Sequence, residues 1–510
     1  MNKNLRLTET WQKIQTFLQE NSPFEIDDLH FQYTISELLA DLPTTNEGNA
    51  MRTIARCGHG VLYVYEQKDF FSWSGKYWEK GRGCEIRAAC KTANYLAMEA
   101  ARVAESGDKK RSMELLKWCH SSQSWGHVSG VANFLKNQPE ISISRSDFDK
   151  REWLFNLENG TLDLQTGKLN PHNSTDLITK IAPISYDPEA ECPKWEEFIL
   201  KICSLNEGMI RFIQQLCGCG LVGKQMDDIL AIGYGPGGNG KTVFAETVRF
   251  VLGDYVGLAT SDLFLSKVGD GPSNDRACLS GTRFLTASET DEGRRLNEAL
   301  VKGMTGGDKQ QVRFLYGEFF ELVPQFTPIL FTNHRPIING TDKGIWRRVR
   351  LMPWLWDFEH DDGRKPKYVV YEELRAEAQG IFNWMLAGLQ DRMQSAEIFY
   401  PDEIREQTES YRRHSDTLGE FLEDFCWTKD MHAEITKKDL YEAYRKFAEE
   451  AGNSNISTAK GFTMKLLERT DIPFLGEKRT SSARYWTGIR LRNEFDPVEG
   501  SDDKKDEEPF

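Results

Sequence analysis

The chain has 510 residues, 39% of them apolar and 28% charged, with 78 acidic and 64 basic side chains and a formal net charge of −14. That composition excludes collagen-like, wholly disordered and disulfide-scaffold proteins, and at roughly 150 residues per domain it suggests about three domains. A chain this acidic does not coat DNA by bulk attraction, so any nucleic-acid contact has to be a local basic channel or face.

Residues 1–59 read as short helices, with Trp11, Ile14, Phe17 and Leu18 at helical spacing. The start carries no apolar signal-peptide core, and no run of 18 apolar residues follows anywhere, so a reducing cytoplasm and no membrane are expected. Residues 60–82 alternate apolar and polar around Ser74-Gly75, which predicts a hairpin. Helical patterns fill residues 84–136. Cys84, Cys90, Cys119, His120 and His127 lack paired metal-ligand spacing, and the ten cysteines read as scattered thiols. Asp147 and Asp149 stand directly before a set of short strands and read as loop acids. Asn159-Gly160 and Thr166-Gly167 mark the turns between those strands, over residues 151–172.

The Pro-punctuated stretch 181–195 predicts a boundary that closes a module over 60–195. Residues 196–355 alternate strand-like and helix-like segments, the mark of an α/β core. A helical connector is expected over 356–415, helices followed by a hairpin over 416–493, and a disordered acidic tail over 494–510. That tail holds eight acids and two lysines.

The sharpest signal is Gly235-Pro236-Gly237-Gly238-Asn239-Gly240-Lys241-Thr242, which fits G-x-x-x-x-G-K-[ST]. A short apolar strand, Ile229 to Ile232, runs into it, and a helix from Thr242 to Leu252 leaves it with Gly253 as its stop. Glycines let backbone N–H groups curl toward phosphates, and the helix N-terminus adds partial positive charge. Lys241 should reach the β- and γ-phosphates of ATP, with Thr242 on Mg²⁺.

Three further segments complete a constellation. The strand 283–288 ends at Glu289, which can hold the Mg²⁺ shell or polarise the attacking water. The strand 328–332 ends at Asn333, whose amide can bond the γ-phosphate or that water. Arg347, Arg348 and Arg350 then precede another apolar strand, and Arg suits charge on a transferring phosphoryl group.

In this order, within about 115 residues, the P-loop, Glu strand, Asn strand and double Arg resemble the superfamily 3 helicases, a branch of the AAA+ ATPases. The segment 296–322 is similar to that family's extra motif, a hairpin that grips single-stranded DNA in the central channel of a ring. The resemblance implies Lys302 as a basic residue near the ATP interface, Thr305 to Asp308 as the turn, and Lys309 and Arg313 as DNA-facing cations. It also implies that Arg347 or Arg348 reaches the ATP of a neighbouring subunit. Residues 153–172 and 184–198 look like the accessory module of phage, plasmid and poxvirus primase-helicases, and residues 436–491 resemble their terminal winged helix.

Two departures matter. Glu289 is followed by Thr290 where many members have a second acid, so its side of the reaction stays open. The resemblance implies a helicase without its own primase domain.

Residues 460–492 hold eight Lys or Arg and three acids. Lys465 falls on the candidate recognition helix, with Lys478, Arg479 and Arg484 on the candidate wing, a second DNA site. The tail closes on Pro509-Phe510, similar to acidic Phe-ended tips that dock onto partner enzymes such as a primase, polymerase or other replication factor.

The expected fold is therefore α/β: an AAA+ P-loop core, an α+β N-terminal accessory module and a C-terminal winged-helix module. The expected function is an ATP- and Mg²⁺-dependent helicase that forms a homo-oligomeric ring, of six subunits by resemblance, on single-stranded or forked DNA. It would serve phage, prophage or plasmid replication in a bacterial host cytoplasm, moving 3′→5′ by resemblance. An ATP-gated initiator or loader that does not unwind, and a complete primase-helicase, are the alternatives.

Overall fold

The computed structural model describes the chain except residues 1–2, 21–28, 58–59, 261–262, 267–273, 289–292, 316, 339–342, 362, 451–455, 470–471, 482, 494–495 and 497–510. It divides into two compact units, Met1–Pro336 with Arg347–Ile404, and Ile337–Trp346 with Arg405–Phe510.

The first unit begins with helices Lys3–Glu20, Leu29–Leu39 and Asn46–Cys57. Strands Val61–Val64, Asp69–Trp73 and Trp78–Lys80 follow as antiparallel neighbours, and Ser142–Ile143 adds in parallel to the first, so the expected hairpin around Ser74-Gly75 sits in a four-stranded sheet. Helices Cys84–Glu105, Lys109–Ser122 and Trp125–Leu135 fill the predicted helical stretch. Arg52 and Arg56 are buried here, and both donate to the carboxylate of Glu99, at 2.8 and 2.9 Å. Two guanidiniums against one acid survive burial because backbone carbonyls of Leu39, Leu42 and Pro43 accept the remaining Arg52 donors.

A three-stranded meander, Leu154–Leu157, Gly160–Asp163 and Lys168–Asn170, turns at the two predicted glycine turns. It shares one apolar core with the sheet that follows: Phe155, Leu157 and Leu162 belong to the same cluster as Phe244, Phe284 and Trp354. Phe155 stacks on Tyr255 with centroids 4.3 Å apart. The fully buried Arg283 donates to the carbonyls of Leu154 and Leu221, each at 2.6 Å. Meander and sheet are thus tied by a guanidinium with carbonyl partners.

That sheet has five parallel strands, numbered in chain order β1 (Leu230–Tyr234), β2 (Val256–Thr260), β3 (Phe284–Ser288), β4 (Thr327–Thr332) and β5 (Val349–Pro353). The spatial order is β5-β1-β4-β3-β2. Parallel strands are covered on both faces and read as continuous apolar runs; Leu230, Ala231 and Ile232 in β1 and Ile329 and Leu330 in β4 are fully buried. Helix Lys241–Leu252 makes the crossover from β1 to β2. Between β3 and β4, helix Glu298–Thr305 leads into an antiparallel pair, Gln310–Val312 with Phe320–Leu322. The fold class is mixed α/β.

The second unit packs helices Thr417–Phe425, Lys437–Glu450 and Ala459–Leu467 against an antiparallel sheet of Glu434–Thr436, Arg484–Thr487 and Gly476–Arg479. Phe421, Tyr444, Phe462 and Trp486 form its core. Among the described residues no helix is long and apolar enough to cross a membrane, and no cluster of three or more His, Cys, Asp or Glu is set to hold a metal.

Candidate functional site

Because the five strands are parallel, their carboxyl ends fall on one edge of the sheet, where ligands of open α/β sheets bind. Thr332 is level with Tyr234, and Ser288 with Phe331. The P-loop, the β3 exit and Asn333 therefore leave the sheet together.

The loop itself is held by tight contacts. The Gly235 N–H donates to Thr332 O at 3.3 Å, which fixes the loop's start to the neighbouring strand. The buried Asn239 amide donates to Trp354 O at 2.5 Å, and Phe358 N–H donates to Gly238 O at 3.2 Å. The chain leaving β5 thus clasps the loop. Gly240 opens the helix with φ 85° and ψ −4°, a left-handed conformation that glycine adopts without penalty.

Lys241 Nζ donates to the carbonyls of Gly235 (2.6 Å) and Pro236 (2.8 Å). Burial with no carboxylate among those bonded partners pushes its pKa down to about 8. Phosphate oxygens would take the place of the two carbonyls and favour the charged form.

A cavity of about 990 Å³ opens beside the loop, lined by Gly237, Gly238, Asn239, Gly240, Lys241 and Thr242. Ser288 and Asn333 also face it, from the ends of β3 and β4. Glu289 lies outside the described residues; its predecessor Ser288 marks where it leaves. Gly235 and Pro236 act from behind, through backbone carbonyls.

The far end of the cavity escaped sequence reasoning. Its apolar wall is Phe198, Phe358, Val370 and Leu374, with Phe198 and Phe358 stacked at 5.8 Å. Lys201 pairs with Asp361 there at 3.1 Å. Asp361 is held below the usual carboxylate range, first by the Gly363 N–H and then by Lys201 and Trp356. These residues come from segments some 160 positions apart, two helices and the irregular stretch that holds Phe358 and Asp361, so no local pattern announced them.

The two arginines part company. Arg347 is exposed. Arg348 is 8% exposed, and its guanidinium bonds Thr305 Oγ1 (3.1 Å) and Asp228 Oδ2 (3.3 Å) of the same chain. The double-Arg pattern could not separate them; the turn that leads into β5 does, leaving Arg347 in solvent and setting Arg348 against Thr305 and Asp228.

On the hairpin, Lys309 Nζ pairs with Glu321 at 2.9 Å with both side chains exposed, and Arg313 lies over the Phe319 ring at 4.8 Å. Lys309 precedes the first hairpin strand and Arg313 follows it, so the two sit about 13 Å apart along the strand, and only Arg313 belongs to the connecting tip. Lys302 lies on the preceding helix and is absent from the cavity lining.

In the second unit Lys465 is exposed on helix Ala459–Leu467, and Lys478 pairs with Glu434 at 2.6 Å. Arg479 and Arg484 are exposed and directly opposite each other across their strands, a like-charge pairing that an anion would relieve. Pro509 and Phe510 lie outside the described residues. Asp147 accepts from Ser144 N–H (3.1 Å) and Lys150 (2.6 Å), while the buried Asp149 accepts from Thr179 N–H (2.7 Å) and Oγ1 (2.6 Å). Asp147 ties its own loop together, and Asp149 fastens that loop to the segment at Thr179.

With that geometry in place, similarity to known proteins is informative. Residues 50–204 match the family described as D5 N terminal like, and residues 233–348 match a family of unknown function (DUF5906). A protein of Acanthamoeba polyphaga mimivirus named "Putative helicase" is 27% identical over 335 residues, 62% of this chain and 34% of that protein. A "Putative helicase" of Frog virus 3 is 27% identical over 303 residues, covering 56% and 30%. A "Putative primase" of African swine fever virus is 24% identical over 378 residues, covering 69% and 39%. The matched relatives thus carry helicase and primase names. The chain spans about a third of the length of the curated relatives it matches. The apo structure of the NrS-1 C terminal region (305-718) is similar at 12% identity and a TM-score of 0.41, over 67% of this chain and 94% of that one.

Proposed function

We propose that the chain is an ATP-dependent DNA helicase of superfamily 3, with an AAA+ core, acting in viral, phage or plasmid DNA replication. The observation that carries the proposal is the meeting, at one sheet edge, of a complete P-loop, the β3 exit and Asn333, with the antiparallel hairpin inserted between β3 and β4. The strand order β5-β1-β4-β3-β2 and the viral helicase and primase relatives support it.

In this account the P-loop N–H groups and Lys241 would bind the β- and γ-phosphates, and Thr242 with Glu289 would hold Mg²⁺. Bound Mg²⁺ supplies charge neutralisation on the phosphates. Asn333 orients the γ-phosphate or the attacking water. The apolar wall of Phe198, Phe358, Val370 and Leu374 receives the base. Arg347, exposed where Arg348 is not, is the arginine that reaches a neighbour's ATP in a homo-oligomeric ring.

Single-stranded DNA would run past the hairpin tips, with Arg313 on its phosphates and Phe319 and Leu315 exposed for base contact. Lys309 joins once its pairing with Glu321 is exchanged for phosphate. Lys302 would act near the subunit interface. A winged-helix role for the second unit, with Lys465, Lys478, Arg479 and Arg484 on duplex DNA, is supported by the opposed arginine pair. The commitment of Asp147 to its own loop and of Asp149 to Thr179 weighs against that pair serving primer synthesis.

Particle imaging with an ATP analogue and single-stranded DNA tests the arrangement. Closed rings are expected. A monomer under those conditions removes the trans-arginine role and favours an ATP-gated loader.

A further inference from the structure

Arg348 stands at a junction of three elements. Its backbone carbonyl accepts from Leu230 N–H at 2.8 Å, pairing the start of β5 to the start of β1. Its guanidinium reaches Asp228 (3.3 Å), two residues ahead of the strand that carries the P-loop. Its Nε donates to Thr305 Oγ1 (3.1 Å), at the last residue of the helix that leads into the hairpin.

Thr305 is fully buried and in turn donates to Val301 O at 2.7 Å. The guanidinium also covers the following turn, since a Cβ on Gly306 would lie 3.5 Å from Arg348 Nη2. The Gln225 side chain donates to Met304 O, one residue before Thr305. The hairpin's root is therefore gripped by side chains from the approach to the P-loop strand and from the turn before β5, while its tip begins at Arg313, past the first hairpin strand.

A buried guanidinium is costly to leave unpaired, and its bonds to charged or hydroxyl acceptors fix direction as well as distance. If the root moves, Arg348 has to move with it or lose Thr305. Arg347 is the next residue along the backbone.

We propose that Arg348 is a positioning residue that transmits displacement of the hairpin root to Arg347 and to the P-loop strand, so that DNA on the hairpin sets the rate of ATP hydrolysis. This rests on the helicase proposal above. Arg348 does not touch nucleotide or DNA itself; it acts through Thr305 on one side and Arg347 on the other.

The test is steady-state ATP hydrolysis by the full chain, with and without oligo-dT, for wild type, Thr305→Val and Thr305→Ser. Valine keeps the shape and removes the acceptor; serine keeps the hydroxyl. The expected result is DNA-stimulated hydrolysis in wild type, a stimulation ratio at least about fivefold lower in Thr305→Val, and a ratio near wild type in Thr305→Ser. Oligo-dT affinity by fluorescence anisotropy should stay within twofold in all three, which a merely destabilised hairpin would not give.

Should Thr305→Val fail to fold, Asp228→Asn replaces it, with a reduced ratio again expected. Wild-type stimulation retained by Thr305→Val, or by Asp228→Asn in its place, overturns the coupling role alone. Absence of DNA stimulation in wild type overturns the helicase proposal, and this inference with it.

Discussion

The P-loop glycines are not equivalent, and alanine at each should separate them. A Cβ on Gly235 would lie 2.0 Å from Trp354 O and 2.5 Å from Asn239 Nδ2. Neither neighbour can yield. Trp354 N–H is bonded to Tyr234 O at 2.7 Å, and the Asn239 amide is itself bonded to Trp354 O. Backbone would have to shift by more than 1 Å to restore ordinary contact, in the range where overpacking costs about 1–3 kcal/mol. Loss of the buried Asn239 bond adds ~1 kcal/mol.

Gly240 presents the other limit. Its φ of 85° alone costs an alanine ~1–2 kcal/mol, and Phe198, Ile202 and Phe358 lie 3.0–3.1 Å from the added carbon. Gly237 meets nothing within 4 Å. The expected order of destabilisation of the nucleotide-free protein is Gly235→Ala about 2–4 kcal/mol, Gly240→Ala about 1–3 kcal/mol and Gly237→Ala near zero. Thermal unfolding followed by intrinsic fluorescence reads the order directly. Gly237→Ala as damaging as Gly235→Ala would refute the clasp by Trp354 as the reason for the loop's shape.

Arg347→Ala should leave the unfolding temperature unchanged, as surface substitutions do, yet abolish hydrolysis; mixing it with Lys241→Ala should recover part of the activity if the site is shared between subunits. Arg348→Ala should lower stability by about 1–3 kcal/mol in thermal unfolding, because the fully buried Thr305 hydroxyl loses its donor, while water takes over the exposed Asp228. Arg283→Met should cost at least about 2 kcal/mol by the same measurement, since the carbonyls of Leu154 and Leu221 lose their buried donor. Lys68→Ala should change stability by less than about 1 kcal/mol, because the 3.1 Å pair with Glu318 on the hairpin tip is exposed on both sides. Deleting Pro509 and Phe510 should abolish capture of replication enzymes by the immobilised chain; unchanged capture would sink a docking role for the tail.

Local chemistry is what the sequence conveyed well. The apolar run into Gly235, the helix after Thr242 with its stop at Gly253, and the glycine turns at 159–160 and 166–167 all follow from residue preferences over a few positions. Long-range chemistry was much less legible. The wall is an assembly of the helix-face hydrophobes Phe198, Val370 and Leu374 with Phe358 from an irregular stretch, and it becomes a site only when two distant segments pack together.

Pairing was hidden in the same way. Lys309 reads as a free cation until Glu321 is brought opposite by the hairpin register. Arg348 reads as the twin of Arg347 until Asp228 and Thr305 close around it. Arg283 carried no signal at all, since an arginine whose partners are backbone carbonyls leaves no acidic residue to covary by eye. The boundary expected at 181–195 illustrates a related limit: prolines punctuate the chain there, yet Ala182, Ile184 and Trp195 belong to the common core of the first unit.

The net charge of −14 takes a physical form as well. Among the described residues, cations gather at particular places: Lys241 on the P-loop carbonyls, Arg313 over the Phe319 ring, and Arg479 opposite Arg484. An acidic protein can hold phosphate at such points while repelling it elsewhere.

The measurement that bears most directly on the central claim is ATP-driven unwinding of a forked DNA duplex by the wild-type chain and by Lys241→Ala. Strand separation that requires ATP and disappears in Lys241→Ala is the predicted result. Hydrolysis stimulated by DNA without any strand separation by wild type would contradict it and leave a nucleotide-gated loader.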